Sequence, residues 1–122
     1  MYNFCKAETK SKVFFDVFGK NLRDFLCITQ HCTALIGNEG GAVNMAKALD
    51  IPTFTIFSPW IKKEAWSMFE DGHKHVSVHL SDFQPQLFEG KKTKELKADQ
   101  KPLYEMFSPD YFIDQLKTFL KQ

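Results

Sequence analysis

An α/β fold with a Rossmann-like parallel sheet and flanking helices is the class this sequence predicts. Three observations predict it. The runs CTALIG at 32–37 and PTFTIFS at 52–58 are apolar, short and bounded by glycine or proline. Runs of that kind suit strands covered on both faces, as in a parallel sheet. Between them, Ala42, Met45, Ala46 and Leu49 fall at helical spacing, so strand, turn, helix and strand make one βαβ unit.

The elements follow in chain order. KVFFDVF at 12–18 is short and apolar and reads as a first strand. Gly19 and Lys20 break it. From Asn21 to His31, Leu22, Phe25, Leu26 and Ile28 recur at helical spacing, with Asn21 as N-cap and Asp24 near the positive helix end. The strand at 32–37 and the helix at 41–49 come next, and Pro52 opens the following strand, a position where proline is tolerated. Two strand–helix–strand units in succession imply a doubly wound domain with right-handed crossovers.

Ile61, Ala65, Trp66 and Phe69 form one face of a short helix, and Asp71-Gly72 signals a turn. HVSVHL at 75–80 alternates as a half-exposed strand does. Residues 81–101 are polar and lysine-rich and read as a long surface loop with at most one helical turn. Ser108-Pro109-Asp110 starts a last helix, to Lys121, with Phe112, Ile113, Leu116, Phe119 and Leu120 as its apolar stripe. Residues 1–122 therefore read as a single Rossmann-like domain.

The chain has 122 residues, 43% hydrophobic and 25% charged, which suits an ordinary globular domain with a real core. Thirteen phenylalanines point to an aromatic core. Sixteen basic against fifteen acidic residues give no support for nucleic acid as a general partner. No apolar run approaches the length of a transmembrane segment, and MYNFCKAETKSK lacks the apolar centre of a signal peptide. A cytoplasmic location is the expectation. Cys5, Cys27 and Cys32 have no paired spacing, so free thiols are expected. Cys27 and His31, four apart, lack two further ligands for a metal site. His73, His75 and His79 share a face of a regular strand, but no cysteine or acid has fitting spacing, so they read as an exposed face and no metal or cofactor is expected.

The turn Asn38-Glu39-Gly40-Gly41 lies at the carboxyl end of a strand, where open parallel sheets bind ligands. Gly40 and Gly41 remove side-chain bulk, so backbone N–H groups approach a ligand closely. The helix that follows turns its positive end to the same spot, which favours a diphosphate. Glu39 would repel a phosphate and instead suits the neutral hydroxyls of a sugar. Asn44, in the first helical turn, is a further donor. Ser58 and Trp60 follow the next strand at the same sheet end, Trp60 either stacking on a base or packing its loop. Lys62 and Lys63 are either phosphate contacts or a solvated face. The competing reading is that the glycines serve only the turn, and no G-x-G-x-x-G or phosphate-loop pattern is present.

The segment ALIGNEGGAVNMAKALDIPTFTIFSP resembles the signature of glycosyltransferase family 9, the lipopolysaccharide heptosyltransferases. That signature is an apolar strand, G-N-D-S-G-P-x-H-x-A-x-A-L-G-x-P-T, and a second strand ending in F-G-P. Upstream, Gly19-Lys20-Asn21-Leu22-Arg23-Asp24 resembles the family's opening of the preceding helix. The likeness is specific over residues 18–60. Glu39 stands where the family has Asp, Gly40 where it has Ser or Thr, Ala42 for Pro, Asn44 for His and Asp50 for Gly.

The resemblance implies part of the C-terminal domain of a GT-B enzyme, one that binds a nucleotide-sugar (an ADP-sugar) and transfers the sugar with inversion and without a metal. It implies Glu39 on the donor sugar and Gly40 and Gly41 on the diphosphate; position at the same sheet end adds Asn44 to the donor sugar and Asn38, Ser58 and Trp60 to a donor-site loop. The general base and the site for a lipopolysaccharide-type acceptor belong to an N-terminal domain, so this chain is expected to hold no catalytic residue and not to catalyse transfer alone. The full enzyme would work in the cytoplasm, peripheral to the inner membrane. Two other readings stay open: a nucleotide- or phosphate-binding module without transferase activity, and an interaction domain with a purely structural turn.

Overall fold

The computed structural model describes residues 2–122. Three strands, β1 (Leu35–Asn38), β2 (Thr53–Ile56) and β3 (His75–Val78), form one parallel sheet in the order β1-β2-β3. The register aligns Asn38 with Ile56 and Ile56 with Val78, so the three carboxyl ends lie side by side. Six α-helices accompany the sheet: α1 (Ala7–Lys10), α2 (Leu22–Thr29), α3 (Gly41–Ala48), α4 (Thr93–Ala98), α5 (Gln100–Met106) and α6 (Ile113–Leu120). The fold is α/β, a small open parallel sheet with flanking helices.

The central βαβ unit, β1-α3-β2, stands where the sequence places it. Asn21 caps α2, its Oδ1 accepting the Asp24 N–H at 2.9 Å. Such a cap is worth about 1 kcal/mol. Helix α3 packs on β1 and β2. The opposite sheet face is apolar: Phe54 and Val78 are buried with Phe112 and Phe119, and Leu116 packs against them. The Phe54 ring lies 5.5 Å from that of Phe119 and 6.2 Å from that of Phe112. A second core gathers Leu80, Leu96 and Leu103 with Trp60, Leu87 and Phe88 around it.

Six expectations are corrected. KVFFDVF at 12–18 is not a strand but an exposed arm. Its β-propensity has no neighbouring strand to act through, and extended backbone without a ladder leaves its N–H and C=O groups to water. With that strand gone there is one strand–helix–strand unit, not two, because β2 reaches β3 through a segment whose only regular element is a 3-10 turn at Lys63–Ala65. The helix expected around Ile61–Phe69 is absent for a related reason. The Lys47 ammonium, on α3, takes the Met68 carbonyl at 2.7 Å, and Phe69 turns the chain at φ +60°.

Residues 81–101 are not a bare loop. They carry 3-10 turns at Leu80–Asp82 and Pro85–Leu87, then α4 and the start of α5. Leu96 and Leu103, seven residues apart, bury against Leu80 while the lysines around them stay in water. The histidine face is not exposed either: His75 and His79 are buried, and only His73 of the three lies in solvent. The last helix is shorter than expected. Ser108 Oγ caps a 3-10 turn at Pro109–Tyr111 before α6 begins, and Ile113 and Leu120 of its stripe remain exposed.

Phe54 is fully buried, whereas Leu120 is 58% exposed. Phe54→Ala is expected to lower unfolding stability by about 3–5 kcal/mol and Leu120→Ala by less than about 1 kcal/mol. Urea unfolding of the two variants, followed by circular dichroism, checks the contrast.

Candidate functional site

The polar groups at the carboxyl end of the sheet first do structural work. Ladder pairing stops at Asn38 and Ile56, which would leave backbone groups of the next residues without partners. Side chains take over. Asn38 Nδ2 donates to the Ile56 carbonyl at 3.2 Å, and Glu39 Oε2 accepts the Ser58 N–H at 2.9 Å. The β1–β2 pairing thus runs about two residues past the strands. Glu39 is half-buried, and its second carboxylate oxygen, Oε1, is left for another donor.

Gly40 follows in a conformation that only glycine holds without strain, φ 145° and ψ −166°. It occupies the N-cap of α3 and offers no side-chain cap. The Asn44 N–H bonds to the Gly40 carbonyl at 3.2 Å, and the N–H groups of the first turn, before Asn44, are the ones a helix leaves for an outside acceptor. A Cβ built on Gly40 or Gly41 meets nothing within 4 Å. Neither glycine is there to make room for protein. Gly40 is demanded by its backbone angles, and Gly41 by neither angle nor packing.

Asn38, Glu39, Gly40, Gly41 and Ser58 therefore meet at one place. Asn44 and Trp60 do not join them. Asn44 borders a pocket of about 280 Å³ along α3, with Lys47, Ala48, Met68 and Phe69. Trp60 packs its loop onto the Leu80–Leu96–Leu103 core, and the Lys97 ammonium lies over its ring, 5.1 Å from the centroid. Lys63 is tied to Asp82 at 3.0 Å and to the Ser77 carbonyl at 3.3 Å, while Lys62 lines a separate cleft.

That cleft, about 490 Å³, opens beyond the end of β3 between Lys62, Glu64, His79, Phe88, Glu89 and Lys91. Its signals in the sequence are His79, a polar residue just past the end of an apolar strand, and the pair Lys62 and Lys63, which also line it. His79 is locked by its neighbours. The Ser81 N–H donates to Nδ1 at 2.9 Å, which makes Nδ1 an acceptor and leaves the proton on Nε2, 2.9 Å from the Ile61 carbonyl. Phe57 and Phe88 flank the ring.

No family model, curated protein or solved structure matches this chain. The site is therefore read from its own geometry. Among the described residues no three His, Cys, Asp or Glu side chains are grouped to hold a metal ion. No helix among them is long and apolar enough to cross a membrane.

Charge at the sheet ends is set by burial and by the backbone. Desolvation pushes His79 and His75 below the ordinary histidine value of 6.5, against the pull of nearby carbonyls and acids. Asp71, before β3, accepts the backbone N–H groups of His75, His73 and Lys74 on one oxygen, which holds its pKa down to about 2.

The two buried histidines predict the sign of the pH response. A folded state that disfavours protonation binds fewer protons than the unfolded chain, so stability is complete above about pH 6.5 and is lost as pH falls below it. Melting temperature is expected to be level from pH 8 to 7 and to drop from pH 6.5 to 5. The drop should be shallower in His79→Gln, as differential scanning calorimetry across that range will show.

Proposed function

We propose that this chain is the donor-binding portion of a GT-B glycosyltransferase resembling the heptosyltransferases. It would bind a nucleotide-sugar and present the sugar to a lipopolysaccharide-type acceptor held by another domain. The observation that carries the reading is the uncapped N-terminus of α3, opened by a glycine-only conformation at Gly40 and bordered by a carboxylate oxygen with no partner in the fold. Backbone N–H groups at a helix start suit a diphosphate. The free oxygen of Glu39 suits a sugar hydroxyl, and its Oε2 bond to Ser58 fixes the carboxylate without help from a ligand.

In this reading the chain supplies binding and orientation. Gly40 and Gly41 hold the diphosphate through their backbone, and Glu39 reads the sugar. Asn38 and Ser58 shape the loop. Asn44 lines the pocket beside Met68 and Phe69 and Trp60 packs on the Leu80 core, so neither is given a role on the ligand. Inversion, the general base and the acceptor site rest on the resemblance, as does a cytoplasmic setting next to the inner membrane. The bond from Glu39 to Ser58 also supports a second reading, a nucleotide-binding module whose carboxylate serves only the fold.

Calorimetric titration with ADP and an ADP-sugar distinguishes these. Gly41→Ala meets no atom and sits in a helix, so it should leave the melting temperature unchanged or slightly higher. Under the donor reading its methyl would obstruct the close approach of the diphosphate to the backbone N–H groups, and ADP should bind about 10- to 100-fold more weakly, a loss the size of one hydrogen bond to a charged oxygen. Glu39→Gln keeps an acceptor for Ser58 and should weaken the ADP-sugar more than ADP. Equal losses for both ligands would assign Glu39 to the fold alone.

A further inference from the structure

The arm before α2 is the least satisfied part of the molecule. Phe4, Phe14, Phe15 and Phe18 are 92%, 69%, 68% and 63% exposed, and Val13, Val17 and Leu22 are exposed beside them. Phe14 to Phe18 make no backbone hydrogen bonds, although their composition is that of a strand buried on both faces. The arm is anchored at its base. A Cβ on Gly19 would stand 2.5 Å from the Phe25 nitrogen, so the chain runs tightly against the start of α2 there.

The same molecule has an open strand edge. β1 pairs only with β2, and its Ile36 is 48% exposed. A groove of about 470 Å³ lies between the arm, α2 and β1, walled by Val17, Phe18, Phe25, Ile28, Leu35 and Ile36. An open apolar edge beside an unpaired apolar segment is a template for strand addition.

We propose that the occupant is a second copy of this chain, the arm of each copy lying along the β1 edge of the other. Area supports it. A phenylalanine presents about 150–250 Å², so Phe14, Phe15 and Phe18 leave roughly 400 Å² bare per copy, and with the exposed Val13, Val17, Leu22 and Ile36 beside them a pair reaches roughly 1,200 Å², where specific interfaces begin. Reciprocity supports it too: each copy carries an unpaired segment and, beside its base, the open edge of β1, so a two-fold pair satisfies both at once. A lipid surface fits less well, because Asp16 and unpaired backbone groups lie in the middle of the apolar run. The inference does not depend on the donor reading.

Light scattering on the purified chain at about 50 µM tests it. The wild type should show the mass of two chains, and Phe14→Ser/Phe18→Ser should show the mass of one, with the dissociation constant raised more than about tenfold. Should that variant fail to fold, Ile36→Lys, at the exposed edge, should give the same result from the other side of the contact. Hydrogen exchange should protect the amides of 14–18 and of β1 in the wild type and release them in the variants. A monomeric wild type overturns the proposal, as does a dimer whose 14–18 amides exchange freely. Binding of that monomer to phosphatidylglycerol vesicles, lost in either variant, would instead assign the arm to a membrane.

Discussion

The pairing of β2 on both sides is the constraint on which the rest depends. It is the only strand with two neighbours, and Phe54 at its centre is fully buried. On one face Phe54 meets Phe112 and Phe119, which fixes where the last helix lies, some sixty residues later in the chain. On the other face Thr53 and Thr55 lie buried in the layer that α3 covers. The ends of β2 then set the positions of its partners. The Ser58 N–H and the Ile56 carbonyl collect the Glu39 and Asn38 side chains, so the glycine turn is hung on the central strand. If β2 slipped by one residue, every side chain would change faces and the turn would lose both ties.

The layer between the sheet and α3 is partly polar: Val43 and Ala46 are buried on the helix, but Thr53, Thr55 and His75 are buried on the strands. Thr53 Oγ1 meets His75 Nδ1 at 3.1 Å. Lys47 is buried against Glu70 at 3.5 Å, and the other oxygen of Glu70 accepts the Ser77 hydroxyl. Thr55 Oγ1 is buried without a partner. A buried ion pair adds little net stability, because desolvation offsets the attraction. What it adds is position: a helix bonded through Lys47 to the 68–70 segment, and through Glu70 to β3, has one seat on the sheet. An unpartnered Thr55 hydroxyl costs about 1–3 kcal/mol. This face therefore fixes α3 more than it stabilises the domain.

The legible part of the fold was the part whose information is local. β1, α3 and β2 carry their signals within residues 32–58: two bounded apolar runs and one helical stripe. Asn21 is legible for the same reason, since a cap and its N–H are three residues apart. Where a partner was needed from elsewhere, sequence failed. KVFFDVF has strand chemistry, but a strand exists only with a neighbour, and no spacing shows that none is there. Leu96 and Leu103 were lost among lysines because their burial depends on Leu80. His75 and His79 read as exposed because alternation gives a face and not what covers it. At the site, the turn and its glycines were legible, while the Glu39–Ser58 bond, nineteen residues apart in sequence, was not.

That bond changes what the carboxylate means. A glutamate whose whole function was to read a sugar would have to be held by water and ligand, and its side-chain entropy would be lost on binding. Here Oε2 is bonded within the fold, at the paired ends of β1 and β2. An aspartate at this position would reach about one methylene less far. The longer side chain spans from β1 to the Ser58 N–H through Oε2 and leaves Oε1 without a partner in the fold. Under the proposed donor reading, the structural and the ligand-reading roles of Glu39 would use different oxygens of one group, and the first would be a condition for the second. A fixed carboxylate beside an uncapped helix start is a preorganised pair of opposite character: N–H groups for an anion, and an acceptor for the neutral hydroxyls attached to it.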